Sequence, residues 1–360
     1  MWINKIILNN FRNYQKEIIE LNKNLNIFYG ENAQGKTNII EAIFLCSMGK
    51  SFRAKKDTEM IQLEKESATI EVFYEKSDRC GKIKIDIGNK KNIYFNGIKL
   101  KKLSELLGSI NVVIFTPDDI HILKGGPQNR RRFLDIMISQ LKPNYMYNLN
   151  LYLKTIEERN HYLRQIREEN KSEELLEIWD EKLIEYSEKI YSYRKEFIEK
   201  IQEKIIKIHN QVTDNKEEIK IVYQTDCENK EKYKRILKER RKLDIIKGYT
   251  TKGIHRDDFT IYINDKDLGI YGSQGQHRTA ILSLKMAELE IIYDEIGEYP
   301  ILLLDDFMSE LDEKRRKHLL EKIENIQVII TCTDKIELEN KNILIYNVRD
   351  GKVIKENQEF

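Results

Sequence analysis

The sequence is poor in cysteine and has no long apolar run. The cysteines show no C-x-x-C spacing, so neither a zinc site nor a disulfide framework is indicated, and a reducing compartment is expected. No stretch approaches the roughly 20 apolar residues of a membrane-spanning helix. Met1–Asn10 is not followed by the small-residue cleavage site of a signal peptide. We therefore expect a cytoplasmic protein without a membrane partner. The four cysteines are Cys46, Cys80, Cys227 and Cys332.

Charge is abundant, but neither sign is in excess. The 360 residues include 62 basic and 60 acidic side chains, and the apolar fraction of 40% is too high for a disordered protein. The length is typical of about two domains. A net charge of +2 provides no general basic field of the kind that attracts nucleic acid. A polyanion would have to be bound by local clusters of basic residues.

Glycine is absent from one long central stretch, between Gly126 and Gly248. Residues 151–250 contain 23 basic and 22 acidic side chains, together with apolar residues at helical spacing. Dense mixed charge without helix breakers is typical of long solvated helices. We therefore predict a helical arm over 128–248, formed by a hairpin or a small bundle.

The two flanking segments, 1–127 and 249–360, have the pattern of an α/β domain. Apolar and polar residues alternate in the first segment, and continuous apolar runs in the second are typical of strands covered on both faces. The sequence thus predicts an α/β domain into which the arm is inserted. The predicted strands are Ile3–Leu8, Lys16–Leu21, Asn24–Tyr29, Thr69–Tyr74, Ile83–Ile87, Ile93–Phe95, Phe259–Ile263, Ile301–Leu304, Gln327–Ile330 and Ile343–Val348.

A phosphate-binding loop follows the third predicted strand. Residues 30–37 fit the pattern G-x-x-x-x-G-K-[ST] and lead into an apolar helix. The glycines let backbone N–H groups turn towards phosphates, Lys36 can reach the β and γ oxygens, and the Thr37 hydroxyl is placed to ligate Mg²⁺. A chance match in a glycine turn is the alternative, but strand, loop and helix occur in the required order. The residues predicted to bind nucleotide here are Gly30, Glu31, Asn32, Ala33, Gln34, Gly35, Lys36, Thr37 and Asn38.

Two acidic residues end the apolar run Ile301–Leu304. Asp305 is predicted to hold Mg²⁺ together with Thr37, since this ion prefers oxygen ligands and keeps much of its water. Asp306 is predicted to orient or deprotonate the attacking water, so that Asp306 and Lys36 are the predicted catalytic residues. The alternative, a solvated turn after a core strand, is weaker beside a phosphate loop.

A further anion site is predicted at the start of a long helix. Ser273 is a suitable N-cap, and Gln276 follows three residues later, as in a capping box. The exposed backbone of Ser273, Gln274, Gly275 and Gln276 would direct its N–H groups at an anion. For this segment taken alone, a plain capped helix is an equal alternative.

The order of these motifs resembles that of the ABC-type ATPases, and Ser309–Asp312 resembles the D-loop of that class. The resemblance implies an ABC-type P-loop head with an inserted α-helical arm. It also implies that the signature segment of one copy contacts the γ-phosphate held by another, and hence an ATP-dependent homodimer. Two departures matter. Asp306 stands where many ABC ATPases have glutamate, which implies slow hydrolysis, and Thr331–Thr333 stands where transporters place a histidine.

More closely, the chain resembles the RecF family of bacterial recombinational-repair proteins. The similar segments run from near residue 1 to beyond residue 310 and cover almost the whole chain. The first contains Arg12, which the resemblance places among the nucleotide-binding residues. The segments are Leu8–Tyr14, Gly30–Asn38, Phe115–Asp119, Lys124–Pro127, Arg130–Asp135, Gly253–Asp258, Ser273–Thr279 and Leu303–Asp312.

The RecF resemblance implies a weak, DNA-dependent ATPase that uses ATP and Mg²⁺ in recombinational repair, replication restart and SOS induction. It implies binding, without sequence specificity, to single-stranded DNA or single/double-strand junctions, and help in loading recombinase at single-strand gaps. RecR and RecO are the implied partners. Arg53, Arg130, Arg131 and Arg132 are the basic residues that could contact DNA, with a solvated helix face or ion pairing to nearby acids as an equal alternative.

Two other function classes remain open. One is the soluble nucleotide-binding subunit of an ABC transporter, against which stand the S-x-G-Q signature, the missing histidine and the charged arm. The other is a P-loop kinase for a small molecule, in which the arm and the signature helix would have no role.

Overall fold

Contacts between Cα atoms divide the chain into two compact units. Unit 1 combines Met1–Asp119 with Leu284–Phe360, and unit 2 comprises Ile120–Ser283. Unit 2 is thus wider on both sides than the arm predicted at 128–248. The computed structural model describes residues 1–77, 79–312, 315–316, 319, 323, 325–335 and 343–356, with the backbone alone for Ser309 and Glu310.

The described residues form fifteen strands and eight α-helices. Among them, no helix combines the length and the apolar character needed to cross a membrane. The strands are β1 (Trp2–Phe11), β2 (Tyr14–Glu20), β3 (Leu25–Tyr29), β4 (Ala68–Lys76), β5 (Arg79–Ile87), β6 (Asn92–Phe95), β7 (Ile98–Lys99), β8 (Val112–Phe115), β9 (Ile219–Gln224), β10 (Asp258–Ile263), β11 (Lys266–Asp267), β12 (Ile301–Asp305), β13 (Val328–Cys332), β14 (Ile343–Arg349) and β15 (Lys352–Lys355). The helices are α1 (Lys36–Met48), α2 (Ile120–Lys124), α3 (Pro127–Leu141), α4 (Pro143–Glu169), α5 (Leu176–Thr213), α6 (Lys230–Lys247), α7 (Leu268–Tyr271) and α8 (Gln274–Ile296).

The N-terminal part of unit 1 forms an antiparallel sheet in the order β2-β1-β4-β5-β6-β7. β4 and β5 alternate buried and more exposed residues, which confirms the strands predicted there from the period of two. The strand predicted at Ile93–Phe95 also forms, as β6, but all four of its residues are half-buried. Asn96 and Gly97 form the turn between β6 and β7 with positive φ of 49° and 83°, and this left-handed conformation suits asparagine and glycine.

The second sheet of unit 1 joins both ends of the chain, in the order β15-β14-β3-β13-β12-β8. β3 pairs in parallel with β13 on one side and with β14 on the other. Every residue of β12 and β13 is buried, as predicted for central strands. The register sets Asp305 opposite Thr331, and Thr331 opposite Phe28, so the carboxyl ends of β3, β13 and β12 meet at one edge.

Unit 2 contains α3 to α6 and a small antiparallel sheet in the order β11-β10-β9. Within the arm predicted to be helical, Ile219–Gln224 forms strand β9 instead, and it pairs with β10. The partner strand lies about 40 residues further along the chain, so a local pattern could not reveal the pairing.

A buried arginine links α4, α5 and α6. Arg159 is 0% exposed, and its guanidinium donates 2.8 Å hydrogen bonds to carboxylate oxygens of Asp180 and Asp244 and to the Thr250 hydroxyl. Burial opposes its charge, but the two carboxylates outweigh that effect and raise the pKa of Arg159. One guanidinium thus holds three helices and the segment after them.

We expect Arg159→Met to lower the free energy of unfolding by about 3–5 kcal/mol, because it removes the positive charge that two buried carboxylates share. Urea denaturation followed by circular dichroism measures the change. Lys189→Met is the control, since Lys189 is exposed and, among the residues that the structure describes, forms an ion pair with Glu185 alone. A loss of about 0.5 kcal/mol or less is expected there. Equal losses of unfolding free energy in Arg159→Met and Lys189→Met would show that the buried ion pairs of Arg159 do not stabilise the fold.

Candidate nucleotide-binding site

The loop between β3 and α1 has the backbone shape that its glycines predict. Gly30 and Gly35 have φ of 151° and 118°, and Ala33 also has a positive φ of 66°. A Cβ atom at Gly30 would lie only 2.3 Å from the carbonyl oxygen of Val348 on β14. The exposed residues Glu31–Ala33 leave the loop backbone accessible to a ligand.

The ammonium group of Lys36 lies inside this loop. Lys36 is 4% exposed, and its Nζ donates hydrogen bonds to the carbonyl oxygens of Gly30 at 2.6 Å and Glu31 at 2.8 Å. Helix α1 begins at the same residue, so its positive N-terminal end faces the loop as well. This arrangement suits the phosphate chain of a nucleotide.

Two residues of the segment Leu8–Tyr14 support the loop from outside. Asn13 Nδ2 donates to the carbonyl oxygen of Gln34 at 2.6 Å, and Asn13 Oδ1 accepts a hydrogen bond of 2.6 Å from Asn38. The Tyr14 hydroxyl donates to the carbonyl oxygen of Gly35 at 3.0 Å. Both segments belong to the family resemblance seen in the sequence, but the contacts between them are visible only in the structure.

Thr37 and Asp305, the predicted metal ligands, are in contact. Thr37 Oγ1 lies 2.9 Å from Asp305 Oδ1, and the Thr331 hydroxyl donates to the same carboxylate oxygen at 2.7 Å. Burial raises the pKa of Asp305, although the hydrogen bonds from Thr331 and Thr37 oppose this. A hydroxyl beside a buried carboxylate is a donor set that suits Mg²⁺, and the cation would favour the charged carboxylate.

Asp306 occupies a tight turn directly after β12, with a left-handed φ of 50°. Its backbone N–H donates to the carbonyl oxygen of Thr331 at 3.2 Å and to the Thr331 hydroxyl oxygen at 3.1 Å. Thr331, in the segment where transporters place a histidine, therefore contacts both acidic residues. The predicted D-loop, Ser309–Asp312, lies partly outside the described side chains.

Arg12 and Arg53 share one buried carboxylate on α1. Glu41 is 0% exposed and accepts hydrogen bonds from Arg12 at 2.7 and 2.8 Å, from Arg53 at 2.7 Å and from the Ser51 hydroxyl at 2.6 Å. Arg53 also donates to the side chain of Asn38. Both arginines thus lie beside the phosphate loop, which suits the nucleotide role predicted for Arg12 and leaves DNA contact by Arg53 as a prediction.

The capping box predicted at Ser273 is confirmed. Ser273 N donates to Gln276 Oε1 at 2.9 Å, and Gln276 N donates to Ser273 Oγ at 3.2 Å. Gln276 also donates to Glu217 at 2.9 Å, and Glu217 in turn contacts His209 at 3.1 Å. Ser273 and Gln274 remain exposed. This helix start can therefore receive an anion from outside, while its glutamine is fixed within unit 2.

The arginines that open α3 have partners within unit 2. Arg130 forms a two-pronged ion pair with Asp258 at 2.6 and 2.9 Å, and Arg131 donates to the carbonyl oxygen of Asp257 at 2.6 Å. Arg132 is exposed. Of the two alternatives considered for these residues, ion pairing describes Arg130, and a DNA contact by Arg131 or Arg132 stays a prediction.

The chain is similar to known proteins over nearly its whole length. The model of the RecF/RecN/SMC N terminal domain family matches residues 2–354. The DNA replication and repair protein RecF of Acetivibrio thermocellus is 47% identical over 353 residues, which cover 95% of this chain and 96% of that protein. RecF of Clostridium perfringens is 44% identical over 364 residues, which cover 98% of this chain and 99% of that protein.

Solved structures extend the comparison to the fold. A structure described as the recombination mediator protein RecF with ATP in the RecFOR pathway has a TM-score of 0.94 and 41% identity, covering 99% of this chain and 98% of that one. The Smc head domain of Pyrococcus furiosus has a TM-score of 0.58 and 18% identity, covering 99% and 97%, a likeness of fold alone. The predicted ABC-type ATPase fold is confirmed.

We expect Glu41→Gln to destabilise the protein by about 2–4 kcal/mol at neutral pH, because two guanidinium groups lose their shared carboxylate. Burial raises the pKa of Glu41, but the bonds from Arg12 and Arg53 outweigh it and bring the pKa below the ordinary 4.5. The stabilisation is therefore full above about pH 4.5 and is lost as the pH falls through the lower folded value.

Urea unfolding of Glu41→Gln and the wild type at a series of pH values tests this, with exposed Glu66→Gln as the control. The difference from the wild type should shrink in acid for Glu41→Gln. A difference independent of pH would show that the charge of Glu41 is not what stabilises the fold.

Proposed function

The chain belongs to the RecF family, within the RecF/RecN/SMC N terminal domain group, and on this premise we propose that it is an ATP-dependent DNA-binding protein of DNA replication and recombinational repair. The observation that carries the proposal is the contact between Thr37 of the phosphate loop and Asp305 at the end of β12. It brings together the two halves of the proposed nucleotide site, which are far apart in the sequence.

ATP would bind with its phosphates on residues 30–38. Lys36 would contact the β and γ oxygens, and the loop N–H groups would surround the phosphates. Thr37 and Asp305 would hold Mg²⁺, which when bound neutralises charge on the phosphate oxygens. Arg12 would add a positive charge beside the loop. The ATP named with the 41% identical RecF structure supports this assignment.

Hydrolysis would depend on Asp306. Its carboxylate would orient the attacking water or accept its proton, and Thr331 would hold its backbone through the hydrogen bonds at 3.1 and 3.2 Å. Aspartate is one methylene shorter than the glutamate found in many ABC ATPases. Slow hydrolysis follows from this, and the weak, DNA-dependent ATPase that the family resemblance implies would act as a slow switch.

Two copies would assemble around ATP. Ser273–Gln276 would bind the γ-phosphate held by a second copy, which the exposure of Ser273 and Gln274 permits. The dimer would bind single-stranded DNA or a single/double-strand junction without reading sequence. The RecFOR pathway named with the similar structures supports RecO and RecR as partners. The relatives lend no support to a transporter subunit or a small-molecule kinase.

Lys36→Met should weaken ATP binding at least tenfold, because the ammonium inside the loop is lost. Ser273→Arg should leave ATP affinity unchanged and prevent dimerisation, since it obstructs only the surface offered to the second copy. Titration with a fluorescent ATP analogue and sedimentation with ATP and Mg²⁺ measure the two properties.

Ser67→Arg, at an exposed serine remote from both motifs in sequence, is the control and should dimerise normally. If Ser273→Arg lost nucleotide binding, Ser273 would belong to the nucleotide site of its own chain and not to the site of a second copy. A wild-type protein that stays monomeric at micromolar concentration with ATP would reject the dimer.

Asp306→Asn should slow phosphate release by about 10²-fold or more while ATP binding and the ATP-bound dimer persist, because only the water-orienting carboxylate is removed. Asp305→Asn should instead weaken the Mg²⁺-dependent part of ATP binding. Single-turnover phosphate release and nucleotide titration with and without Mg²⁺ distinguish the two variants. Identical defects would mean that the two carboxylates do not have separate roles.

A further inference from the structure

The segment Gly253–Asp258 contains one charged residue, Arg256, that forms no ion pair with the residues that the structure describes. His255 forms hydrogen bonds of 2.8 and 3.1 Å to a tyrosine hydroxyl and a carbonyl oxygen. Asp257 and Asp258 form ion pairs with arginines at 3.1 and 2.6 Å. Arg256 is exposed instead. A structural role explains its neighbours but not Arg256.

Arg256 lies over the ring of Tyr249, just beyond the end of α6. The Arg256 guanidinium carbon is 5.6 Å from the ring centroid, and Nζ of Lys247 is 5.9 Å from the same centroid. The aromatic ring therefore holds two cations close together, which cation–π attraction allows despite their mutual repulsion. Tyr249 itself is 37% exposed.

Two arginines of α4 extend this cluster. A Cβ atom at Gly248, between Lys247 and Tyr249, would lie 3.0 Å from both Arg164 Cγ and Arg167 Nη1. Arg164 and Arg167 are exposed. Four cations thus surround the C-terminal end of α6, which itself carries a partial negative charge that accommodates them.

Three of these cations have no carboxylate partner. In the part of the chain that the structure describes, no carboxylate forms an ion pair with Arg164, Lys247 or Arg256, whereas Arg167 pairs with Glu168. Some other exposed lysines of the unit do pair: Lys189 with Glu185, Lys207 with Glu203 and Lys230 with Glu188. Positive charge therefore predominates around the C-terminal end of α6.

We propose that this corner, the Tyr249 patch (Arg164, Arg167, Lys247, Tyr249 and Arg256), binds the phosphodiester backbone of DNA. The inference rests on the proposed function and adds the surface by which unit 2 contacts DNA. Lysine and arginine bind phosphates without reading bases, so the contact is independent of sequence. Tyr249 is a positioning residue, because it holds Lys247 and Arg256 at a fixed separation.

The test is the salt dependence of DNA binding by the double variant Lys247→Gln/Arg256→Gln. Fluorescence anisotropy is measured with ATP and Mg²⁺, on a single-stranded oligonucleotide and on a single/double-strand junction, from about 50 to about 200 mM salt. Loss of two phosphate contacts should weaken binding about tenfold and lower the slope of log K against log salt by roughly 1.4–1.8.

The matched control is Lys189→Gln/Lys230→Gln, which removes two exposed lysines that have carboxylate partners and should leave affinity and slope unchanged. Tyr249→Phe should bind as the wild type does, because it keeps the ring, whereas Tyr249→Ala should weaken binding. Arg164→Gln/Arg167→Gln tests the patch independently from α4. Thermal melting and ATP affinity, which should not change, show that the variants are folded.

The inference is wrong if Lys247→Gln/Arg256→Gln retains the wild-type slope, or if the control variant loses as much affinity. If Lys247→Gln/Arg256→Gln kept the DNA affinity of the wild type but no longer bound polyglutamate, the patch would be a site for an acidic protein. That result would overturn the proposal. Failure of the proposed function would be recognised separately, because the wild-type protein would then bind no DNA in any nucleotide state.

Discussion

The position of β13 between β3 and β12 determines the chemistry at the edge of the parallel sheet. The strand that carries the phosphate loop and the strand that carries the acidic pair are not neighbours in this sheet, because β13 lies between them. On β13, the Thr331 hydroxyl donates to Asp305 and accepts from the backbone of Asp306. Thr37 contacts the same carboxylate from the loop side. One buried hydroxyl thereby sets the relative position of both acids.

The features that the sequence predicts well are those whose partners are close along the chain. The phosphate loop is formed by neighbouring residues, and its glycines need positive φ for reasons contained in the loop itself. The Ser273–Gln276 capping box spans a single helical turn. The buried strands β12 and β13 follow from continuous apolar runs, because only strands covered on both faces are apolar throughout.

The features that the sequence could not predict depend on contacts between distant segments. A list of charged residues does not say which of them pair. Arg130 is a potential phosphate ligand in sequence and an ion-pair partner of Asp258, 128 positions away, in the structure. Glu41 belongs to no recognisable sequence motif, although its carboxylate accepts hydrogen bonds from both Arg12 and Arg53. The sequence does not predict strand β9, because its short alternation of apolar and polar residues indicates a strand only once its pairing with β10 is known.

The central place of β3 in the parallel sheet has a consequence for synthesis on the ribosome. Both strands that flank β3 belong to the last part of the chain, roughly 300 residues later. At translation rates of about 5–20 residues per second, the β3 edge waits some 15–60 s for its neighbours. The helical unit is translated within this interval and can fold first. A nascent chain therefore cannot pair β3 on either side before residues 328–349 have been translated.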